Sequence, residues 1–412
     1  MPFTFLHAAD LHLGSPLHGL SLKDPEIARR VGTASRDAFS DLVTQAIERK
    51  VAFLVIAGDI YDGEWKDTSI GLFFAREMAR LERAGIPVFI VRGNHDAESV
   101  VTKSITLPGN VREFSTRKVE TILLEQHKVA LHGRSFPDRA VSDNWALTYP
   151  EPRSGWLDIG VLHTSCDGRP GHETYAPCTV DVLARRGYDY FALGHVHEFE
   201  VLSTDPYIVF PGNLQGRSTR ERGAKGAVLV HVDDGRVTGI ERLLLDRARF
   251  EAIDVDLTDL ADEPSAFVAL ERMMRPVVHA ADGRLLALRV RLAGSTDLHR
   301  RFAADRARIF DEVQAAAHRL HEDVWLEKLV LNTSEPQRLT ADAARADIDL
   351  AALLEACRTD PTIMREIAAQ IATIDGKMPG GLGMDAAPDP LDALVAEAEA
   401  LLLGRALGTG IC

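Results

Sequence analysis

Nine carboxylate, imidazole and amide residues recur at the ends of short apolar runs. Asp10 and His12 follow FTFLHAA, and Asp59 and Asp62 follow AFLVIAG in the string GDIYDG. Asn94 and His95 follow PVFIVRG in GNHD, His163 closes LDIGVLH, and His195 and His197 follow YFALG in GHVH. Each alone says little. Polar turn residues after strands are common, and GDIYDG reads as a turn as readily as a site. A lone histidine such as His163 is more often hydrogen-bonded structure than a ligand. GHVH weighs more, because two imidazoles two residues apart after a buried strand are costly unless something binds them. Five such endings in order form a joint pattern that chance does not explain. Mixed carboxylate, imidazole and amide donors without thiolates suit Mn²⁺, Fe²⁺ or Zn²⁺ better than Ca²⁺ or a structural zinc. There are enough donors for two cations bridged by a carboxylate, about 3.5–4 Å apart, as used to hydrolyse phosphate esters.

The elements that must position these residues alternate in type. TASRDAFSDLVTQAIERK places Phe39, Leu42, Val43, Ala46 and Ile47 at helical spacing, and IGLFFAREMARLERAG is a second helix closed by Gly85. Strands alternating with helices predict an α/β layer structure. In an open sheet of that kind ligands bind beyond the carboxyl ends of the strands, so the donors are expected to meet on one rim. Asp10 and His12 are expected to point the same way from an extended segment. From about 199 to 245 the pattern changes to strand after strand, with a turn at Asp233-Asp234-Gly235. Residues 251–333 alternate again. Beyond about 340 the chain reads as helical, broken by GKMPGGLGMDAAPDP and ending in LDALVAEAEALLL.

At 412 residues the chain is long enough for two or three domains. Hydrophobic content of 46% and charged content of 26% are ordinary for a globular protein. No run reaches the 18 or so apolar residues of a membrane helix, and MPFTFLHAADLH lacks a basic leader and cleavage site. Cys166, Cys178, Cys357 and Cys412 form no CxxC pair, which argues against a disulfide framework and a structural zinc. A cytoplasmic protein is expected. The net charge of −14 is unevenly spread. Residues 251–412 hold 28 acidic and 17 basic residues, a net of −11; the first 250 hold 33 and 30, a net of −3. The N-terminal part is therefore near neutral, and bound divalent cations would make it more positive.

The set D-x-H, GD-x-x-D, GNHD, H and GH-x-H resembles the calcineurin-like metallophosphoesterase superfamily. HAADLHLGSPL and FPGNLQGRSTRERGAKGAVLV further resemble the SbcD-type DNA repair exonucleases, with the YhaO-like branch nearest. The likeness covers residues 3–245, and the C-terminal third in layout only. It implies a β-sandwich of two sheets flanked by helices over 1–246, and a small α/β capping domain over 250–335. A helical tail over 340–412 would follow, with its linker at 376–390. By the same resemblance Asp10, His12, Asp59 and His197 hold one metal. Asp59 bridges to a second, completed by Asn94, His163 and His195. The cofactor expected is two Mn²⁺ ions, with Fe, Zn or Mg as alternatives. His95 is expected as the acid that protonates the leaving oxygen, oriented by Asp62, with Asp96 structural. Relatives in the double-strand-break nucleases have histidine at the position of Asp62. The implied activity is Mn-dependent DNA exonuclease and endonuclease cleavage in double-strand break repair. The implied partners are DNA ends, an SMC-like coiled-coil ATPase subunit and a second copy of the chain.

Several features keep two readings. Arg217, Arg220, Arg222 and Lys225 form either a solvated loop or a contact to the DNA backbone, and their place in the family-like segment favours the latter. His7, His18 and His132 lie near strand ends and are expected to be hydrogen-bonded structure. Cys166 lies near His163 but is not expected to be a nucleophile. Phe73, Phe74 and Met78 suit either core or interface. Leu391, Leu394, Val395, Ala398 and Leu402 form an apolar stripe that either docks on a partner or packs on the protein itself. The competing activity is a phosphodiesterase or phosphatase acting on nucleotides or phosphoproteins. Against it, protein phosphatases of the superfamily carry GDxxDRG and GNHE, whereas here Gly63-Glu64 follows Asp62 and Asp96 follows His95. A non-catalytic module that has lost its ions is disfavoured because every ligand position is filled.

Overall fold

The computed structural model describes residues 2–15, 25–62, 68–98, 106–168, 175–336 and 350–375, with Leu394, Val395, Ala398 and Leu402 beyond. His18, Leu391 and the linker 376–390 lie outside the described residues. Two compact units form: residues 1–252 with 279–288, and residues 253–278 with 289–412.

The first unit begins β1 (Phe3–Ala8), α1 (Pro25–Glu48), β2 (Leu54–Ala57), α2 (Thr68–Arg83), β3 (Val88–Val91), α3 (Asn94–Glu98) and β4 (Val111–Glu113). It continues with β5 (Glu120–Leu124), β6 (Val129–Gly133), β7 (Leu157–His163), α4 (Val180–Ala184) and β8 (Tyr190–Gly194). Four further strands follow: β9 (Phe199–Thr204), β10 (Tyr207–Pro211), β11 (Gly226–Asp233) and β12 (Arg236–Leu244). One sheet has the order β12-β11-β1-β2-β3-β4 and the other β5-β6-β7-β8-β10-β9. Within the first, β1, β2, β3 and β4 pair in parallel, as do β6, β7, β8 and β10 in the second. All the donor-bearing strands therefore end on the same side of their sheets.

Alternation along the strands explains the layers. In β2, Val55 and Ala57 face the other sheet, and Leu54 and Ile56 face the helices. Phe5, Phe53 and Phe89 of the first sheet meet Leu131, Ile159, Val161 and Tyr190 of the second. Helices α1 and α2 cover the first sheet through Phe39, Leu42, Phe74 and Met78, while Phe136, Trp145, Tyr149 and Leu183 cover the second. Both faces of each central strand are buried, which is why these strands read as unbroken apolar runs. Phe74 and Met78 belong wholly to the core, and Phe73 packs partly against it.

The remaining elements are β13 (Ala248–Asp256), α5 (Glu263–Ala281), β14 (Leu285–Ser295), α6 (His299–Ala304), α7 (Arg306–Leu320) and β15 (Val324–Ser334). Helices α8 (Leu350–Thr359) and α9 (Pro361–Asp375) follow. Strands β13, β14 and β15 form a three-stranded sheet with β14 central. The segment HRRFAADRARIFDEVQAAAHRL forms two helices, because Asp305 leaves helical backbone and its side chain caps α7 through Arg308 N. Bidentate pairs of Arg308 with Glu263 and Arg289 with Glu327 tie this second unit together internally. No described helix is long and apolar enough to cross a membrane.

Candidate metal centre

The nine residues meet where the two sheets' rims face each other. β1, β2 and β3 deliver Asp10, His12, Asp59, Asp62, Asn94 and His95 from one sheet, and β7 and β8 deliver His163, His195 and His197 from the other. Gly194 makes the approach close: a Cβ there would lie 1.9 Å from the Ala57 carbonyl oxygen of the opposite sheet. His163 Nδ1 donates across the same gap to Ala57 O at 2.9 Å. Asp10, His12, Asp59, Asn94, His163 and His195 are all buried.

The local backbone differs from the extended segment expected around Asp10 and His12. Both have left-handed backbone, φ 51° and 42°, as do Asp59 at 55° and His195 at 100°. Such conformations cost roughly 1–3 kcal/mol each for non-glycine residues and persist only where surrounding bonds enforce them. Those bonds are present. His12 N donates to Asp59 O at 3.0 Å, Asp10 N to Gly58 O at 2.9 Å, and His195 N to both Asp10 carboxylate oxygens at 3.0 Å. Asp96 accepts from Ile60 N, Tyr61 N and Gly93 N at 2.9, 3.0 and 3.1 Å, so it pins the GDIYD loop to the GNHD loop.

Hydrogen bonding settles where the imidazole protons sit. A carboxylate can only accept. His12 Nδ1 lies 2.7 Å from Asp62 Oδ1 and His197 Nδ1 lies 2.8 Å from Glu221 Oε1, so both Nδ1 atoms carry the proton. Their Nε2 lone pairs then face each other at 3.2 Å, with Asp59 Oδ2 4.0 Å from one and Asp10 Oδ1 3.9 Å from the other. Four electron-rich atoms converge with no donor among them. That is repulsive unless a cation stands between them or a ring takes a second proton. Burial, and then the Arg217 charge, push the His12 imidazolium down, so proton uptake there is disfavoured.

The second cluster behaves in the opposite way. His163 Nε2 lies 3.0 Å from Asn94 Oδ1 and 3.4 Å from Asp59 Oδ2. Burial alone would lower its imidazolium, but the Asp59 charge and its hydrogen bond raise it to about 9. A proton there stands where a cation's charge would serve. Burial likewise works against the Asp59 carboxylate, yet the positive charge of His163 and the hydrogen bond from it hold it well below the usual carboxylate range. Asp10, His12 and His197 converge as one group able to hold an ion, and Asp10, Asp59 and His163 as another. The donor set fits two oxygen- and nitrogen-liking divalent cations.

Other expected residues fall elsewhere. Asp62 bonds His12 at 2.7 Å and stands 3.8 Å from His95 Nδ1, so its hydrogen bond serves His12, not His95. His95 is the imidazole on the rim with an open face, 37% exposed. The four basic residues divide. Arg220 and Arg222 are exposed, but Lys225 is 2% exposed and its ammonium donates to His197 O at 2.7 Å. Arg217 turns inward to Glu221 and Asp62. Opposite charges inside the rim draw these two away from solvent. His7 and His132 are hydrogen-bonded structure, to Tyr190 Oη and Leu193 O, and to Thr121 and Asp158. Cys166 is buried and is not in a disulfide. Glu221 went unread in the sequence because one acid among four basic residues looks like solvated charge.

A calcineurin-like phosphoesterase family matches residues 3–199, and the middle domain of metallophosphoesterase YhaO matches residues 250–334. The chain is 35% identical over 272 residues to an uncharacterized metallophosphoesterase YhaO of Bacillus subtilis, covering 65% of this chain and 66% of that one. It is 24% identical to the DNA double-strand break repair protein Mre11 of Sulfurisphaera tokodaii, covering 63% and 67%. The Mre11 protein of Methanopyrus kandleri is 26% identical, with 57% and 55% covered. The chain thus spans about two thirds or less of these relatives' lengths.

Proposed function

From the premise that the chain carries a calcineurin-like phosphoesterase domain followed by a YhaO-type middle domain, we propose that it is a Mn-dependent DNA exonuclease and endonuclease that hydrolyses phosphodiester bonds at DNA ends. The observation that carries the hydrolytic part is the convergence of His12 and His197 Nε2 at 3.2 Å between two buried carboxylates. The DNA part is supported by the likeness to Mre11 proteins and by the FPGNLQGRSTRERGAKG segment.

In this reading Asp10, His12, Asp59 and His197 hold one cation, and Asp59, Asn94, His163 and His195 the other. When bound, such a pair activates a water and neutralises charge on the phosphate. His95 keeps its Nδ1 towards Asp62 and holds on Nε2 the proton that the leaving oxygen takes. Asp62 fixes the His12 ring, and Asp96 fixes the loops that carry Asp59 and Asn94. Arg220 and Arg222 contact the DNA backbone without reading its sequence. A second copy of the chain and an SMC-like coiled-coil ATPase are the partners of this reading, in the cytoplasm, with double-strand break repair as its setting. The competing reading, a phosphodiesterase or phosphatase for nucleotides or phosphoproteins, uses the same site.

End-labelled duplex and single-stranded DNA incubated with Mn²⁺, Mg²⁺ or EDTA separates the two. Wild type is run beside His95→Ala and Asp59→Ala, with bis-p-nitrophenyl phosphate as a small substrate. Shortening of DNA with Mn²⁺, lost in both variants, is the expected result. Cleavage of the small diester with DNA untouched keeps the hydrolase and removes the nuclease.

A further inference from the structure

We propose that Glu221 is a positioning residue of the metal centre, holding the His197 ring so that Nε2 faces the cations, with Arg217 tying Glu221 to Asp62. The proposal rests on the two-cation reading above. The segment after β10 returns to His197, and five N–H donors, four of its own and one of His197, meet on its Glu221 carboxylate. His197 Nδ1 and Asn213 Nδ2 each donate at 2.8 Å, and Arg217 donates through N at 2.9 Å, Nε at 3.1 Å and Nη2 at 2.6 Å. Arg217 Nη2 also stands 3.3 Å from His197 Nδ1, but Glu221 is half an ångström nearer and is the only acceptor of the two. The Nδ1 proton therefore points at Glu221.

An exposed Arg–Glu pair contributes little, roughly 0–1 kcal/mol. This pair is different, with side chains only 21% and 13% exposed, and it does not end at itself. Arg217 Nη1 reaches Asp62 Oδ1 at 3.5 Å, and the same Asp62 oxygen takes the Nδ1 proton of His12. The two imidazoles that face each other across 3.2 Å are thus braced from behind by two carboxylates sharing one guanidinium. Lys225 holds the backbone of His197 through its carbonyl. Carboxylates behind metal-binding histidines set ring orientation and tautomer, and their loss typically costs about 10–100-fold in metal affinity.

The test is titration of metal-free full-length protein with Co²⁺, followed by visible absorption and calorimetry, in wild type, Glu221→Gln and Glu221→Asp. Wild type is expected to take two Co²⁺. Glu221→Gln is expected to keep its fold by circular dichroism and weaken one site by about 10–100-fold, leaving the other unchanged. Glu221→Asp should recover part of that loss. A wild type that binds no Co²⁺ removes the two-cation reading and this proposal with it. Two wild-type-like sites in Glu221→Gln overturn this proposal alone. If Glu221→Gln does not fold, ¹⁵N-histidine spectra of the metal-free wild type decide, with the His197 signals assigned by their loss in His197→Asn. A proton on Nδ1 supports the proposal, and a proton on Nε2 overturns it.

Discussion

At the scale of single residues, the rim is organised by which ring nitrogen holds a proton. His7 shows the same logic away from the donors. Its Nε2 faces Leu193 O at 3.0 Å, which can only accept, so Nδ1 is the lone pair that takes the Tyr190 hydroxyl hydrogen at 3.0 Å. Burial pushes its imidazolium down to about 3 from 6.5. The unfolded chain takes this proton below about 6.5 and the folded one only near 3, so the neutral ring's contribution is complete above 6.5 and is lost as pH falls towards 3. The slope is about 1.4 kcal/mol per pH unit across that window. Urea unfolding at pH 7, 6 and 5 is expected to show a flatter pH dependence in His7→Gln than in wild type. Equal slopes would remove His7 from the acid response.

Elements matter here through where they stop. Four strands carry donors just past their last residue, a fifth carries His163 as its last residue, and glycines let the ends approach. Gly194 lies against Ala57 O, the same carbonyl that receives His163 Nδ1. Gly194→Ala forces β2 and β8 apart at the rim, and overpacking of this kind costs about 1–3 kcal/mol. We expect lower stability together with weaker metal binding at the His163 side, measured by denaturant unfolding and Co²⁺ titration. A stable variant with unchanged binding would show that the rims have slack. The five donor strands and helices α1 and α2 were legible from apolar runs and helical spacing. Strands β4 and β5 were not, because each sits at a sheet edge with partly exposed residues, so neither alternation nor an unbroken apolar run marks it.

Over the whole molecule, folding and cation binding are linked. A cation that binds only the folded protein stabilises it by about 2.7 kcal/mol per site at a free concentration 100 times its dissociation constant. For a chain of 412 residues that is about 3 °C in Tm per site. Mn²⁺ added to EDTA-stripped protein is expected to raise Tm, and Asp59→Ala is expected to abolish most of the rise. No shift in wild type would argue against a cation centre.

What the sequence by itself determined is the inventory and its order. Donor types, their placement after buried strands and the α/β alternation follow from local chemistry and periodicity, which a linear chain displays. Tertiary structure decided which groups face which. That the rim belongs to two sheets, that Asp62 bonds His12 and not His95, and that Arg217 and Lys225 turn inward to Glu221 and His197 all depend on approaches between residues far apart in the chain. Spacing along one strand carries no information about the acceptor arriving from another, and that acceptor is what places each proton.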